Sequence, residues 1–413
     1  MAKSLWLKSL VEFGYFPAEL PPPFHTSELA RFRKSVLDIW STFPNEYPRS
    51  THETFSVPRT SKIRRNLALV NPVAQLHLSK IIADYWVEIR KHLKGESYAL
   101  EVPDISTEGS RAVSPPDFPL VAMRRADISS QFDHALVSDI SRFYGTLYTH
   151  AIPWALHDKA WCKSNLNTSA YKNSLGAKLD RAIRKGQDNQ TLGIPVGPDT
   201  SRIISEIIGV SIDQIVQKRI ALSRDNAFRL VDDWFIGFDN AGEAEDAIAT
   251  LAIGCREYEL ELNSEKTHTI HAAPSVENLW PTELREYRFK SGINGQANSL
   301  EHYFTKAFLY SKEFPNQSVL DYAIKRSRTV KVLEDNWPRY EMYLLKAART
   351  NPTVIPSVVQ VLASYNRDGY PIGTGRILKL VQDLINKNAP LAHHAEVAWA
   401  LFLAKALNIT ISK

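Results

Sequence analysis

The sequence predicts an α+β protein with an all-helical C-terminal part, and three observations support that prediction. Between residues 139 and 271, short apolar runs alternate with stretches of helical periodicity, which is typical of layered α/β or α+β structures. After about residue 300, helix-like segments begin roughly every 18 to 20 residues and are mostly separated by Pro, Gly or Asn. Taken in pairs, these segments have about the period of a HEAT-type repeat.

The third observation is a composition typical of a globular protein. Of the 413 residues, 44% are hydrophobic and 23% charged, and the net charge of +5 is compatible with nucleic-acid binding without requiring it. The two cysteines, Cys162 and Cys255, indicate neither a disulfide framework nor a zinc site. No signal peptide and no membrane-length apolar run is visible, so we expect a cytoplasmic protein without a membrane partner.

The N-terminal region contains several distinct segments. The stretch "GYFPAELPPPFHT" at 14–26 is either a packed entry arm or a ligand for a proline-reading module, and the capped helix pattern that follows favours the arm. A basic stretch, "RTSKIRRNLALVNP", leads into a helical pattern that ends near residue 93. A Pro/Ser-rich loop at 101–118 is followed at 120–144 by alternating apolar residues, which predict strands and turns.

The stretch "FRLVDDWFIGFD" at 228–239 places two adjacent carboxylates, Asp232 and Asp233, in a run as apolar as a buried strand. Ionised carboxylates are costly to desolvate unless a cation compensates them. The pair therefore marks either a solvated turn or a metal site. A hairpin with the carboxylates at its tip would reconcile the apolar flanks with a metal site.

Further candidate site residues lie before and after this pair along the chain. Asp139 ends an apolar run, Gly193 and Gly197 allow a tight turn in "GIPVGPDTS", and Lys266 follows a short strand. Two remote carboxylate sites can bridge two magnesium ions about 3.5 to 4 Å apart, as phosphoryl-transfer centres require. The sequence therefore predicts a two-metal site built on Asp139 and Asp232.

These segments resemble the palm of reverse transcriptases: "SDISRFY" is similar to motif A, "GIPVGPDTS" to motif B, "LVDDWF" to motif C and "LNSEKT" to motif D. More narrowly, "GYFPAELPPPF", "SDISRFYGTLYTHAIPWALHDK", "GQDNQTLGIPVGP" and "HHAEVAWALF" resemble the reverse-transcriptase-like polymerases of bacterial antiphage defence, the abortive-infection group and its unclassified relatives. The resemblance extends from about residue 14 to the C-terminus.

The resemblance implies a right-hand polymerase with three parts: an N-terminal arm and fingers at 1–125, a palm at 126–290 and an α-helical, HEAT-like domain at 291–413. It implies two Mg²⁺ ions, with Mn²⁺ as an alternative, bound by Asp139, Asp232 and Asp233. Lys266 would donate a proton to the leaving pyrophosphate, or it is simply an exposed lysine.

Several residues are implied in binding the deoxynucleoside triphosphate. Tyr144 matches the bulky residue that excludes a 2′-hydroxyl, with a core aromatic as the alternative. The full set that we predict to bind the nucleotide is Tyr144, Phe143, Gly193, Pro195, Gly197, Arg64 and Arg65. Arg124 and Arg125 are further candidates for the triphosphate, because guanidinium groups match phosphate oxygens.

One position departs from the family pattern. Val196 stands where motif B usually has a glutamine that supports templated pairing, and Gln187 and Gln190 are out of register with it. His393, His394 and Glu396 lack the spacing of a metal motif, and we interpret them as a polar first turn of a helix.

The predicted function is antiphage DNA synthesis by two-metal nucleotidyl transfer from dNTPs to a DNA product. The resemblance also implies oligomerisation through the helical domain, and protein-primed, template-independent synthesis from a tyrosine that the sequence does not identify. One alternative is a reverse transcriptase that copies a partner noncoding RNA. A second is an inactive palm that acts as a nucleic-acid-binding scaffold.

Overall fold

The computed structural model describes residues 2–42, 47–60, 63–220, 222–272 and 278–411. The chain divides into two compact units, each with its own hydrophobic core. The first, the sheet unit, comprises Met1–Pro17, His25–Glu53 and Ala68–Glu277. The second, the helical unit, comprises Ala18–Phe24, Thr54–Leu67 and Asn278–Lys413.

Strands in the described residues form a hairpin and a four-stranded antiparallel sheet. They are β1 (Glu53–Pro58), β2 (Arg64–Leu69), β3 (His134–Asp139), β4 (Ala227–Leu230), β5 (Asp233–Phe238) and β6 (His268–His271). β1 pairs with β2, and the sheet has the order β4-β5-β3-β6. Because side chains alternate across a strand, Trp234, Ile236 and Phe238 face one core while Phe235 faces another.

Helices of the sheet unit cover both faces of this sheet. They are α1 (Ala2–Glu12), α2 (Ser27–Ser41), α3 (Pro72–Asp84), α4 (Trp86–Leu93), α5 (Phe118–Ser129), α6 (Phe143–Thr146), α7 (Ala151–His157), α8 (Lys159–Asn165), α9 (Ser169–Asn173), α10 (Leu175–Lys185), α11 (Asp199–Gln217) and α12 (Ala241–Glu257). Helix α12 contacts β3 and β5, and α11 packs against α12. On the other face, α5 contacts β4 and β5.

The strand-and-turn prediction for 120–144 was wrong over its first part, because residues 118–129 form helix α5. Asp117 caps this helix by accepting a hydrogen bond from the Leu120 amide, and Pro119 occupies the first turn, where its missing N–H costs nothing. The local start signal outweighed the apolar alternation. From His134 the chain forms strand β3 as predicted, which ends at Asp139 and is followed by a turn into helix α6 at Phe143.

The helical unit contains α13 (Leu279–Glu286), α14 (Ile293–Glu313), α15 (Val319–Ser327), α16 (Trp337–Thr350), α17 (Ile355–Arg367), α18 (Thr374–Asn388) and α19 (His394–Ala406). Predicted helix starts at Ser318, Trp337, Val354, Gly375 and His393 lie within one residue of observed starts. Leu300, the other predicted start, lies inside α14. The all-helical character predicted for the C-terminal region is confirmed.

The boundaries of the two units differ from those of the three predicted domains. Helix α13 precedes the predicted boundary at 290, yet its Trp280 and Leu284 pack in the core of the helical unit. Residues 18–24 and 54–67, which the sequence placed with the N-terminal region, also group with the helical unit. Contacts in three dimensions, rather than chain order, decide this grouping.

Candidate active site

Three carboxylates meet at one end of the sheet. Strand β3 ends at Asp139, whose Cα pairs with that of Asp233 at the start of β5. Asp232 lies in the turn between β4 and β5, and its carbonyl accepts a hydrogen bond from the Ile140 amide. Val231, in the same turn, has a φ of 61°, which is strained for a β-branched residue. The hairpin thus presents both carboxylates beside Asp139.

The electrostatics of this cluster favour a bound cation. Burial, and then the charge of Asp139, raises the pKa of Asp232 to about 6. Loss of hydration, followed by the Asp232 charge and a hydrogen bond with Asp139, raises the pKa of Asp233 to about 7. Positive charges on Lys266 and Arg202 oppose the shift at Asp232. Arg202, on α11, was not predicted from the sequence.

Lys266 is brought to the cluster by a loop anchored on the end of β3. The Asn263 amide donates to the Asp139 carbonyl at 2.7 Å, and the Ser141 amide donates to the Glu261 carbonyl at 2.9 Å. The Lys266 ammonium then donates a hydrogen bond to the Asp139 carboxylate. Half of the Lys266 side chain stays exposed, so the ammonium can also meet a ligand from solvent.

The donor set is chemically suited to magnesium. Carboxylate oxygens are the ligands that Mg²⁺ prefers, and a divalent ion would relieve the repulsion that raises two of the pKa values. Within the part of the chain that the structure describes, no three His, Cys, Asp or Glu side chains form a ready-made metal cluster. The Lys266 ammonium instead engages Asp139. The residues therefore fit a magnesium site in which Lys266 releases Asp139.

Tyr144 lies next to this cluster and the glycine turn. Its hydroxyl is 3.1 Å from the Ser205 hydroxyl on α11, and its carbonyl accepts a hydrogen bond from the Ile194 amide at 2.8 Å. Burial raises the pKa of Tyr144, and the Asp232 charge acts in the same direction. Phe143, by contrast, is 2% exposed in the core, so a nucleotide contact by its ring would require that packing to open.

The turn that contains Gly193, Pro195 and Gly197 depends on its glycines. Gly193 has a φ of 81°, and a Cβ there would lie 3.1 Å from the Gly145 carbonyl oxygen. Gly197 has a φ of 125°, and a Cβ there would lie 2.5 Å from Cγ of Pro17. The turn is thus built for close backbone approach. Pro195 is buried within it.

Gln187 braces this turn from within. Its side-chain amide donates hydrogen bonds to the carbonyls of Gln190 and Gly193, at 2.8 and 2.9 Å. The Val196 carbonyl accepts from the Ala68 amide at 2.9 Å. Gln187 therefore has a structural partner inside the turn and does not substitute for the glutamine missing at 196.

Residues 14–17 pack against the start of α11, which favours the arm interpretation for this part of the proline-rich segment. The Asp199 amide donates to the Gly14 carbonyl at 2.7 Å. The Asp199 carboxylate accepts hydrogen bonds from the Arg111 guanidinium and from the Val113 amide. These contacts fix the N-terminal end of the helix that follows the glycine turn.

A buried ionic network that contacts the turn between β4 and β5 was also missed from the sequence. Arg229 on β4 is fully buried and pairs with Glu206 at 2.6 Å and Asp213 at 3.0 Å, both on α11. It also donates to the Val231 carbonyl at 2.7 Å, and Gly209 leaves the space that the guanidinium occupies. The signal in the sequence is an arginine within the apolar strand of "FRLVDD". Arg229 thereby ties the turn that contains Asp232 to α11.

Three of the four predicted triphosphate arginines have other partners in the structure. Arg64, in the helical unit, makes a bidentate pair with Glu396 of α19 at 2.6 and 2.8 Å, and Arg65 is exposed on the same strand. In the sheet unit, Arg124 pairs with Asp127, and Arg125 lies over the Phe235 ring at 5.4 Å.

The histidine-containing segment at the start of α19 also has structural partners. His394 accepts a hydrogen bond from the Ser56 amide at 3.0 Å, so this first turn holds the β1–β2 hairpin.

The site has the features of a polymerase palm: two acidic strand ends, a carboxylate-bearing hairpin, a glycine turn before a helix and an anchored lysine. A family model described as reverse transcriptase (RNA-dependent DNA polymerase) matches residues 74–300, more than half of the chain. The chain belongs to this family. It therefore has a reverse-transcriptase fold and a polymerase domain of the nucleotidyltransferase type, which confirms the predicted fold class. Such domains generally use divalent metal ions and bind nucleic acids.

Among solved structures, the chain is similar to telomerase from Candida tropicalis in complex with a TWJ fragment of telomeric RNA. The identity is 12% and the TM-score 0.36, and the match covers 92% of this chain. The chain spans 65% of the length of that protein. No curated protein matches this chain. None of the described helices is long and apolar enough to cross a membrane.

Proposed function

We propose that this protein is an antiphage-defence DNA polymerase that adds deoxynucleotides to a primer by two-metal nucleotidyl transfer. The observation that carries the proposal is the convergence of Asp139, Asp232 and Asp233 at one end of the sheet, beside Lys266. The defence role rests on the four quoted segments that resemble abortive-infection polymerases. A cytoplasmic location is part of the same proposal.

In this reaction, a 3′-hydroxyl or a tyrosine hydroxyl of the protein attacks the α-phosphorus of a dNTP. The attacking hydroxyl gives its proton to water, a new P–O bond forms, the bond from the α-phosphorus to the oxygen that bridges to the β-phosphate breaks, and pyrophosphate leaves. Asp139, Asp232 and Asp233 would hold two Mg²⁺ ions, or Mn²⁺, which supply neutralisation of the phosphate charge. Lys266, with its half-exposed ammonium, would give the departing pyrophosphate a proton.

Selection of the nucleotide would involve Tyr144 and the glycine turn. Tyr144 is held between Ser205 and the Ile194 amide, so its ring occupies a fixed place beside Asp232. That position suits a residue that excludes a 2′-hydroxyl, which would make DNA the product. Arg64 and Arg65 remain proposed triphosphate ligands. For Arg64, this role would compete with the bidentate pair to Glu396.

Untemplated synthesis primed by a tyrosine is the form of the activity that we propose, with oligomerisation through the helical unit. Support comes from Val196, because the family glutamine that assists templated pairing is absent there. The alternative of copying a noncoding RNA is favoured by the family to which the chain belongs, which is described as RNA-dependent DNA polymerases. An inactive scaffold would leave three converging carboxylates without a catalytic role.

The proposal is tested by incubating the purified protein with Mg²⁺ and labelled dNTPs without added template. An Asp232→Asn variant serves as the control, and any bound nucleic acid is first stripped and sequenced. Label that remains on the denatured protein and is lost in the variant supports protein-primed synthesis. Incorporation that needs a co-purified RNA supports the templated alternative, and no incorporation under either condition refutes both.

A further inference from the structure

The two units have opposite net charges. The helical unit contains 22 Lys and Arg against 12 Asp and Glu, a net charge of +10. The sheet unit contains 28 Lys and Arg against 33 Asp and Glu, a net charge of −5. A polyanion is therefore attracted to the helical unit. The negative charge that repels it lies mostly in the sheet unit, which contains the proposed catalytic carboxylates.

Part of this positive charge lines a cleft of about 400 Å³ on helices α16 and α18. Each helix contributes two cations three residues apart: Lys346 and Arg349 from α16, and Arg376 and Lys379 from α18. Residues with this spacing lie on the same helix face, and like charges there repel one another. Such an arrangement is destabilising by itself and is relieved by a bound anion.

The cations are only partly neutralised. Arg349 pairs with Asp383 at 2.8 Å, and Arg376 lies 3.1 Å from the buried carboxylate of Glu341, although 44% and 54% of these two arginine side chains stay exposed. The Lys346 ammonium lies over the Phe308 ring at 4.6 Å. Across the described residues, no acidic side chain lies within ion-pair distance of Lys346 or Lys379.

We propose that this cleft binds the phosphodiester backbone of single-stranded nucleic acid. A single strand is the form that we assign, because its flexible backbone can follow a cleft that four cations line. The arginines, oriented by Asp383 and Glu341, offer guanidinium N–H groups to phosphate oxygens, and the two lysines add point charges. Met342 and Leu345 provide an apolar lining, and the hydroxyl of Thr350, which also lines the cleft, already donates to the Lys346 carbonyl, so binding is expected to be independent of sequence.

This inference rests on the proposed function, because it assigns a place for the strand that the polymerase makes or copies. The same phosphate chemistry is present in product DNA and in an RNA template. The test therefore uses two labelled probes, a 20-mer of oligothymidylate and a 20-mer of oligouridylate, with the full-length protein in EDTA and without dNTPs. Polymerase activity does not enter this measurement, so either proposal can fail without the other.

The variant for the test is Lys346→Gln with Lys379→Gln, and its matched control is Lys312→Gln with Lys405→Gln. Both doubles remove two exposed positive charges from the helical unit, but only the first alters the cleft. Fluorescence anisotropy across a salt series should show about a tenfold weaker affinity at 0.15 M salt for the cleft double. Its log–log salt slope should fall by about 1.4, because two phosphate contacts are lost.

The control double should keep the salt slope of the wild type. Weakening with either probe supports the cleft, and the probe that responds identifies DNA or RNA as the strand held there. An equal loss in both doubles, or no loss in the cleft double, would overturn the proposal. Thermal unfolding of the two doubles checks that both retain the fold.

Discussion

Replacing Arg229 with methionine tests how the buried network supports the turn that contains Asp232. The substitution removes two ion pairs, to Glu206 and Asp213, and the hydrogen bond to the Val231 carbonyl. All three charged side chains are at most 1% exposed, so water cannot replace the guanidinium. An uncompensated buried charge of this kind costs about 3 to 5 kcal/mol, and we expect that loss in the free energy of unfolding.

The assay is urea denaturation at neutral pH, with Arg256→Met as a surface control that should change stability by less than about 0.5 kcal/mol. Burial raises the pKa of Asp213 even beside Arg229, so the deficit should shrink as the pH falls and the orphaned carboxylates take up protons. A triple variant with Asp213→Asn and Glu206→Gln should recover most of the loss. A cost below about 1 kcal/mol, or a triple variant no better than the single one, would refute the reasoning.

Three further predictions concern the site itself. In EDTA, Asp232→Asn should raise the free energy of unfolding. The pKa of the Asp232 carboxyl rises from 3.8 to about 6 on folding, so this group destabilises the folded protein as the pH rises through that interval. The increase in the free energy of unfolding should grow from near zero at about pH 4 to about 1 to 2 kcal/mol above pH 7, after allowance for solvent screening. An increase that does not depend on pH would contradict this account. Tyr144→Ala should improve ribonucleotide use relative to deoxynucleotide use by about tenfold or more in single-nucleotide incorporation assays, whereas unchanged sugar selection would remove the gate assignment. Gly197→Ala should lower the free energy of unfolding by about 2 kcal/mol or more, measured by thermal or urea unfolding, because of the positive φ at this position and the contact with Pro17. Gly375→Ala, which has open space around it, is the control and should be neutral. Equal effects of the two substitutions would contradict the role of the turn.

The sequence located the carboxylate cluster because its signals are local. An apolar run that ends in Asp139, and an apolar run interrupted by an Asp-Asp pair, each describe a strand and its end. Once the two strands pair in the observed register, the carboxylates meet without further information. The positive φ of Val231, in the turn between the two strands of the hairpin, could not be predicted from local propensity.

Long-range pairing explains what the sequence could not predict. Arg64 belongs to a basic stretch that suggested triphosphate binding, yet its partner, Glu396, is 332 residues away. Arg229 and Asp213 likewise meet through packing between β4 and α11, and neither residue has a periodic pattern around it that indicates a partner. Short apolar patterns were equally ambiguous at 118–129, where capping decided in favour of a helix.

The bond between Arg64 and Glu396 has a consequence for the order in which the protein is completed during synthesis. Arg64 is synthesised 332 residues before Glu396, so the β1–β2 hairpin leaves the ribosome well before helix α19, which binds Arg64 and the Ser56 amide. In a nascent chain that stops before α19, Arg64 therefore lacks its carboxylate partner and the Ser56 amide lacks His394, so this side of the strand pair stays uncovered. This contact can close only after α19 has been synthesised, so its formation distinguishes chains that contain this helix from chains truncated before it.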